Sequence, residues 1–224
     1  MYRIALMIPH SDTTLETDLQ MNLPKDFILH TQRIWLDEVS KEAEQKMVDF
    51  GLPEAIRYLK GITKFSSAVF GCTSASVVYG EEGMQEIENS MAREFGCPSI
   101  TAFGSVMKEI NKLGASKIVL FTPYTLEVNE FVRENFEAFG VQVAYDNGMG
   151  YLNDVDIGEI LPERVYEFIL SYKEQLEELN ADLCFISCTN LRSMEIREAL
   201  ERELNIPVLT SNYCVYRFIM NNMT

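Results

Sequence analysis

Two short stretches carry the residues best suited to chemistry. Ala68-Val69-Phe70-Gly71-Cys72-Thr73-Ser74-Ala75-Ser76 ends an apolar run on a cysteine, follows it with small hydroxyl residues and leads into a helical pattern. Cys184-Phe185-Ile186-Ser187-Cys188-Thr189-Asn190 repeats the design, placing its cysteine 116 residues after the first. In an open α/β sheet such a strand-to-helix turn lies at the carboxyl end of a strand, where ligands bind. A thiol there faces a cleft and lies near free helix amides, which draw a cysteine pKa down from about 8.5. Two thiols in one cleft can do three things without a cofactor: exchange protons on opposite faces of a carbon, add covalently to an activated double bond, or deliver a proton to a carbanion. Cys97, Cys184 and Cys214 lack this context and read as small buried hydrophobes.

Thr73, Ser74, Thr189 and Asn190 follow the cysteines where helix-start amides are free. Amides and hydroxyls together can hold a carboxylate there, and the same residue types also serve as ordinary N-caps. Tyr124, after the proline that closes another strand pattern, carries a phenol able to donate to an anion. Other chemistries find no support. His10 and His30 form no pair at metal-ligand spacing and sit in no hydrolase motif, and neither a GxGxxG nor a P-loop run occurs.

The elements that must position these residues are duplicated. Arg3–Pro9 has the pattern of Lys117–Pro123, a basic residue, a run suited to a buried strand, then proline. From that proline to the cysteine is 63 residues in one half and 65 in the other. Downstream, Arg93-Glu94-Phe95-Gly96-Cys97-Pro98 parallels Arg202-Glu203-Leu204-Asn205-Ile206-Pro207, a helix end meeting Gly or Asn before a proline that starts the next strand. A two-fold relation between the halves brings Cys72 and Cys188 face to face across one cleft. The spacing predicts strands at 2–8, 27–34, 67–70, 99–101, 117–122, 141–145, 183–187 and 207–210. Helices are predicted at 35–50, 51–60, 79–95, 103–113, 125–139, 162–179, 192–204 and 213–221, with loops at 18–25 and 146–160. Strand-helix alternation predicts an α/β fold with parallel sheets.

The chain has 224 residues, enough for one large or two small domains. Its 34 Asp+Glu against 19 Lys+Arg give a formal charge of −15, which excludes nucleic-acid and anionic-membrane partners, since both need a positive field. The opening apolar run is too short for a secretion signal, and no run reaches the 18 or more apolar residues of a membrane span. A cytoplasmic protein with reduced thiols is expected.

Cys72-Thr73-Ser74-Ala75-Ser76-Val77-Val78, Thr122-Pro123-Tyr124-Thr125-Leu126-Glu127-Val128-Asn129, Ser187-Cys188-Thr189-Asn190-Leu191-Arg192-Ser193 and Pro207-Val208-Leu209-Thr210-Ser211-Asn212 together resemble the aspartate/glutamate racemase superfamily. Within it they resemble the branch of maleate cis-trans isomerase, arylmalonate decarboxylase and the ectoine-degradation isomerase-like proteins. The resemblance implies two Rossmann-like α/β domains related by a pseudo-two-fold axis, 1–103 plus 210–224 and 104–209, with the site in the cleft between them and no metal or cofactor. It matches Cys72 and Cys188 to the two family cysteines, and Thr73, Ser74 and Tyr124 to donors that hold a substrate carboxylate. Asn153 resembles an asparagine of the maleate isomerases. Asp12 departs from them, standing where they usually show asparagine. A carboxylate there either repels a dicarboxylate or grips an ammonium. Decarboxylases of the branch carry glycine at the position of Cys72, so two thiols favour an isomerase or racemase. The expected function is cofactor-independent isomerisation of a small carboxylate, with maleate to fumarate leading. The alternatives are an amino-acid racemase of Asp/Glu or hydantoin type, an arylmalonate-type decarboxylase and, last, a non-enzymatic binding module. A homo-oligomer is left open.

Overall fold

The computed structural model describes residues 1–223. Strands β1 (Tyr2–Pro9), β2 (Phe27–Ile34), β3 (Ser67–Phe70) and β4 (Ser99–Thr101) form a parallel sheet in the order β2-β1-β3-β4. Strands β5 (Lys117–Tyr124), β6 (Gln142–Tyr151), β7 (Leu183–Ile186) and β8 (Val208–Thr210) form a second in the order β6-β5-β7-β8, the same topology again. The inner strands read as continuous apolar runs because helices cover both faces of each sheet. On β1, Ala5 and Met7 pack into one core cluster while Ile4, Leu6 and Ile8 pack into another.

Eleven α-helices and two short irregular turns are present among the described residues. In the first half they are α1 (Leu15–Asn22), α2 (Lys41–Lys46), a π-turn (Met47–Gly51), α3 (Leu52–Leu59), a 3-10 turn (Ala75–Val77), α4 (Gly80–Phe95) and α5 (Ala102–Leu113). In the second they are α6 (Leu126–Ala138), α7 (Asp154–Gly158), α8 (Pro162–Leu170), α9 (Lys173–Glu177), α10 (Arg197–Leu204) and α11 (Ser211–Asn221).

The two halves are tied by an exchange of helices. Thr101 and Thr210 close β4 and β8, and each hydroxyl accepts an amide three residues on, from Gly104 and Tyr213, so both strands turn directly into helices. Those helices then cover the opposite half. Phe103, Val106, Met107 and Ile110 of α5 enter the core of the second sheet, and Val215, Phe218 and Ile219 of α11 enter that of the first. A break in one half therefore exposes apolar surface in the other.

Several predicted elements are corrected. The expected loop at 18–25 is largely α1, which holds Leu15 and Leu19 one turn apart in the core and whose first amides are capped by Asp12 from outside the helix. The helix expected from 35 begins only at Lys41, where the Ser40 hydroxyl accepts the Ala43 amide. Gly51 does not break it. The chain runs through the π-turn into α3, and glycine is needed because a Cβ there would lie 2.2 Å from Ile34 Cγ2. The loop expected at 146–160 is instead the end of β6 followed by α7. The helix expected at 162–179 parts at Ser171-Tyr172, and that at 192–204 starts only at Arg197.

Candidate active site

Cys72 and Cys188 each lie just beyond the end of an inner strand, β3 and β7, and are 6% and 5% exposed. Hydrogen bonds between the two turns hold them together. The Thr73 hydroxyl donates to Ser211 Oγ at 2.9 Å, the Cys188 amide donates to the same oxygen at 3.2 Å, and the Thr189 hydroxyl donates to the Gly71 carbonyl at 3.3 Å. Gly71 is needed for the packing of α1 and β1 behind this turn, since a Cβ there would lie 2.4 Å from Leu15 Cδ2 and 2.9 Å from Ile8 Cγ2. The phenol of Tyr124, at the end of β5 and 3% exposed, is directed at the Cys188 sulfur. Cys188 itself has φ 97°, a region that side-chain-bearing residues avoid at a cost of about 1–3 kcal/mol.

Three buried carboxyls bear on the thiols, Glu44 on Cys72, Asp12 on Cys188 and Asp154 on both. Asp12, wholly buried, accepts the Thr14 and Leu15 amides through Oδ1 at 2.9 Å each, while Oδ2 makes no hydrogen bond of ordinary length and has only the more distant influence of the Thr189 hydroxyl. Burial, reinforced by Asp154, raises its pKa to about 7. Glu44 of α2 is 2% exposed, accepts the Ser74 hydroxyl, and is likewise pushed by burial to about 7. Asp154 at the start of α7 accepts the Ser11 hydroxyl at 2.5 Å, and its pKa is raised by burial.

The expectation that helix amides would lower the thiol pKa values is overturned for this closed arrangement. The Ala75 amide acts on Cys72 and the Asn190 amide on Cys188 in the lowering direction. Desolvation outweighs them and pushes both thiols well up, with Glu44 adding most of the charge effect on Cys72 and Asp154 most of that on Cys188. Tyr124 is raised too, by burial and then by the two thiols. Burial thus favours the protonated form of both thiols and of the phenol.

The other candidates fall into two groups. Thr73, Ser74 and Thr189 are buried at the thiols, but their hydroxyls are engaged with Ser211, Glu44 and Gly71. Asn190 works as a clasp. Its Oδ1 accepts the Thr13 amide at 2.9 Å, and its Nδ2 donates to the carbonyls of Asp154 at 2.7 Å and Ser11 at 3.3 Å, so the turns after β1 and β7 and the start of α7 form one unit. Asn153 is exposed and caps α7 by accepting the Val155 amide; its neighbour Asp154 is the residue that turns inward. Cys97, Cys184 and Cys214 are buried in the core and Cys184, pushed by burial to about 12, is inert. Among the described residues no three His, Cys, Asp or Glu side chains are placed to hold a metal ion, and no helix is long and apolar enough to cross a membrane.

Sequence reasoning missed Glu44, Asp154 and Ser211. Asp154 adjoins Asn153, which was singled out, and Ser211 lies inside the Pro207–Asn212 motif without having been given a role. Glu44 left a fainter signal, an acidic side chain beside Ala43 on the buried face of a short helix.

The fold is thus a duplicated α/β one, with a buried thiol at the matching strand end of each half, a phenol directed at one of them and buried carboxyls bearing on both. The chain belongs to the arylmalonate decarboxylase family, whose pattern it matches over residues 4–219. It is 25% identical to the maleate isomerase of Geobacillus stearothermophilus over 224 residues, covering 94% of this chain and 87% of that protein. The structure of Nocardia farcinica maleate cis-trans isomerase bound to TRIS superposes with a TM-score of 0.85 at 21% identity, over 100% of this chain and 92% of that one. A second structure of that enzyme, a cysteine-to-serine mutant with a covalently bound succinylcysteine intermediate, gives 0.84 at 22% identity over 99% and 92%. A liganded double mutant of arylmalonate decarboxylase gives 0.88 at 18% identity over 99% and 92%.

Proposed function

We propose that this protein is a cofactor-independent isomerase of a small carboxylate, converting maleate to fumarate by reversible thiol addition. The carrying observation is the pair of thiols at matching strand ends, tied through Ser211 and Gly71 and differently partnered. The relatives named as maleate isomerases, and the succinylcysteine held by one of them, support the reading. Cys72 adds to one alkene carbon, the former double bond turns as a single bond, and Cys188 gives and then removes the proton on the neighbouring carbon. Tyr124 donates to the Cys188 sulfur and so steadies it whenever it is the thiolate. Asp12, Thr73, Ser74, Thr189 and the backbone amides of the two turns line the substrate side, and Asn190 and Asn153 position the strand-end turns and α7. The chain divides into 1–103 plus 210–224 and 104–209, with the exchanged helices as the joint.

A second reading, an amino-acid racemase with both thiols as acid and base, is favoured by the buried Asp12, whose free oxygen suits a substrate ammonium. One experiment separates the two. The protein is incubated in deuterated water with maleate, and separately with aspartate, glutamate or a hydantoin, and followed by proton NMR. Fumarate from maleate is expected. Deuterium at Cα with loss of optical activity, and no fumarate, would replace the isomerase by the racemase.

A further inference from the structure

We propose that Glu44 is the proton-holding partner of Cys72, taking the thiol proton as the sulfur attacks and returning it when the adduct breaks down. The inference rests on the isomerase reading for the bond that the sulfur attacks, but not for the proton transfer itself.

Glu44 sits where a core residue belongs. It follows Ala43 and precedes Met47 and Val48, all three buried in the first half's core, yet it is a carboxyl and is itself 2% exposed. Among the described residues it forms no ion pair, and its hydrogen bond comes from Ser74, two residues beyond Cys72. A buried carboxyl without a cation is costly, and such groups gather where proton chemistry is done.

Its carboxyl is held by Ser74 in the turn after β3, and the groups of the site coupled to it by charge are Cys72 of that turn, Tyr124 of β5 and Asp154 of α7. Asp49 of the adjoining π-turn is turned away to the Tyr79 hydroxyl, and Lys41, Glu42 and Lys46 of its own helix are exposed. Glu44 is also the strongest charge acting on Cys72. Of the other carboxyls, Asp12 holds the Thr14 and Leu15 amides through Oδ1 and Asp154 holds the Ser11 hydroxyl, while Glu44 alone is bonded within the Cys72 turn. Burial raises Glu44 to about 7, so it can both accept a proton and release it near neutrality; Asp12 is raised to the same value, but it bears on Cys188 and not on Cys72.

The proton and electron count closes. Cys72 S–H passes its proton to the Glu44 carboxylate, and the sulfur pair forms the C–S bond. The alkene pair moves to the neighbouring carbon and its carboxylate, and Cys188 protonates that carbon. After rotation Cys188 takes the proton back, the double bond re-forms, the C–S pair returns to sulfur, and Glu44 reprotonates Cys72. Nothing is consumed.

The test is the rate at which iodoacetamide alkylates Cys72, read by peptide mass mapping against pH in the wild-type protein, Glu44→Gln and Glu44→Asp. In the wild type, where thiol and carboxyl share a proton, the rate should rise to a plateau with a midpoint near 7. Glu44→Gln should lose that midpoint, react about tenfold or more slowly near neutrality, and climb roughly tenfold per pH unit into the alkaline range, as a lone high-pKa thiol does. Glu44→Asp, which keeps the carboxyl, should keep the midpoint at a lower plateau, and it carries the test if the Gln variant does not fold. A Gln profile that overlays the wild type, or one faster near neutrality because a repelling charge is gone, would overturn the proposal, as would an Asp variant without the midpoint. Fumarate formation assayed on the same samples keeps the two claims apart. No fumarate with the alkylation profile intact refutes the isomerase reading and leaves the Glu44–Cys72 pair standing.

Discussion

Cys72 and Cys188 stand at the same place in two copies of one topology, yet their surroundings differ. Cys72 leads straight into the 3-10 turn, with the Ser76 hydroxyl on its carbonyl and Glu44 as the strongest charge acting on its thiol. Cys188 sits at φ 97°, its amide on Ser211 and its sulfur facing the Tyr124 phenol, and no helix forms until Arg197. The duplicated sheet sets where each sulfur lies. Elements outside the sheets, α2 for one thiol and the end of β5 with the start of α11 for the other, set what each sulfur can do. A thiol beside a proton acceptor is suited to be a nucleophile. One held by a donor and an over-determined backbone is suited to hand a proton to a fixed point.

The comparison breaks most sharply at the sulfurs. Cys72→Ser and Cys188→Ser should each lower turnover by about 10³-fold or more, in the range for loss of a nucleophile or of a positioned acid-base group, while thermal unfolding midpoints stay close to wild type. They should also differ from one another. Incubated with maleate, Cys188→Ser should accumulate a covalent adduct on Cys72 by intact mass, and Cys72→Ser should show none; the opposite pattern would reverse the two roles.

Tyr124→Phe sharpens the Cys188 side alone. A hydrogen bond to a charged group is worth roughly 1.5–3 kcal/mol, or about one to two decades in kcat/KM. The loss should fall on kcat with KM held, because the thiolate that the phenol steadies forms only during turnover. Unchanged kinetics would place the phenol outside the chemistry.

Ser211→Ala tests the tie between the turns, since Ser211 Oγ receives both Thr73 and Cys188. Leaving two buried donors without an acceptor should cost about 1–3 kcal/mol of stability and lower the unfolding midpoint. Both thiols should also lose activity together, unlike the one-sided effect at Tyr124.

A gentler effect concerns pH. Asp12 has its pKa raised from 3.8 to about 7 in the folded state, so between those values the native protein holds a proton that the unfolded chain has released. Its contribution to stability is therefore full below about 4 and declines as pH rises towards 7, by about 1.4 kcal/mol per unit at most. Glu44, raised from 4.5 to about 7, acts in the same direction. Unfolding midpoints measured from pH 5 to 8 should fall with rising pH, and Asp12→Asn, which keeps an oxygen for the Thr14 and Leu15 amides, should flatten that fall. The smallest effect is expected at Cys97, a core thiol beyond the end of α4; Cys97→Ser should leave kcat within a factor of about two.

Much of this protein was legible in the chain itself. The apolar runs ending at Cys72 and Cys188, the matched prolines and the Gly96 and Asn205 helix stops are local signals, set by strand periodicity and backbone conformation, and they led directly to two parallel sheets of one topology. The residues of the two turns were legible for the same reason. What the sequence could not reveal was produced by contacts between distant segments. The α1 helix hides in a polar stretch because its cap, Asp12, belongs to the turn before it, and the exchange of α5 and α11 depends on which sheet each apolar face meets. Glu44 shows in the sequence only as an acid beside the apolar Ala43, and its burial follows from the packing of α2 against the turn after β3. The thiol pKa values, expected low from helix amides, are instead high because the two halves close over both sulfurs and desolvation, a property of the assembled cleft, exceeds the pull of a few amides.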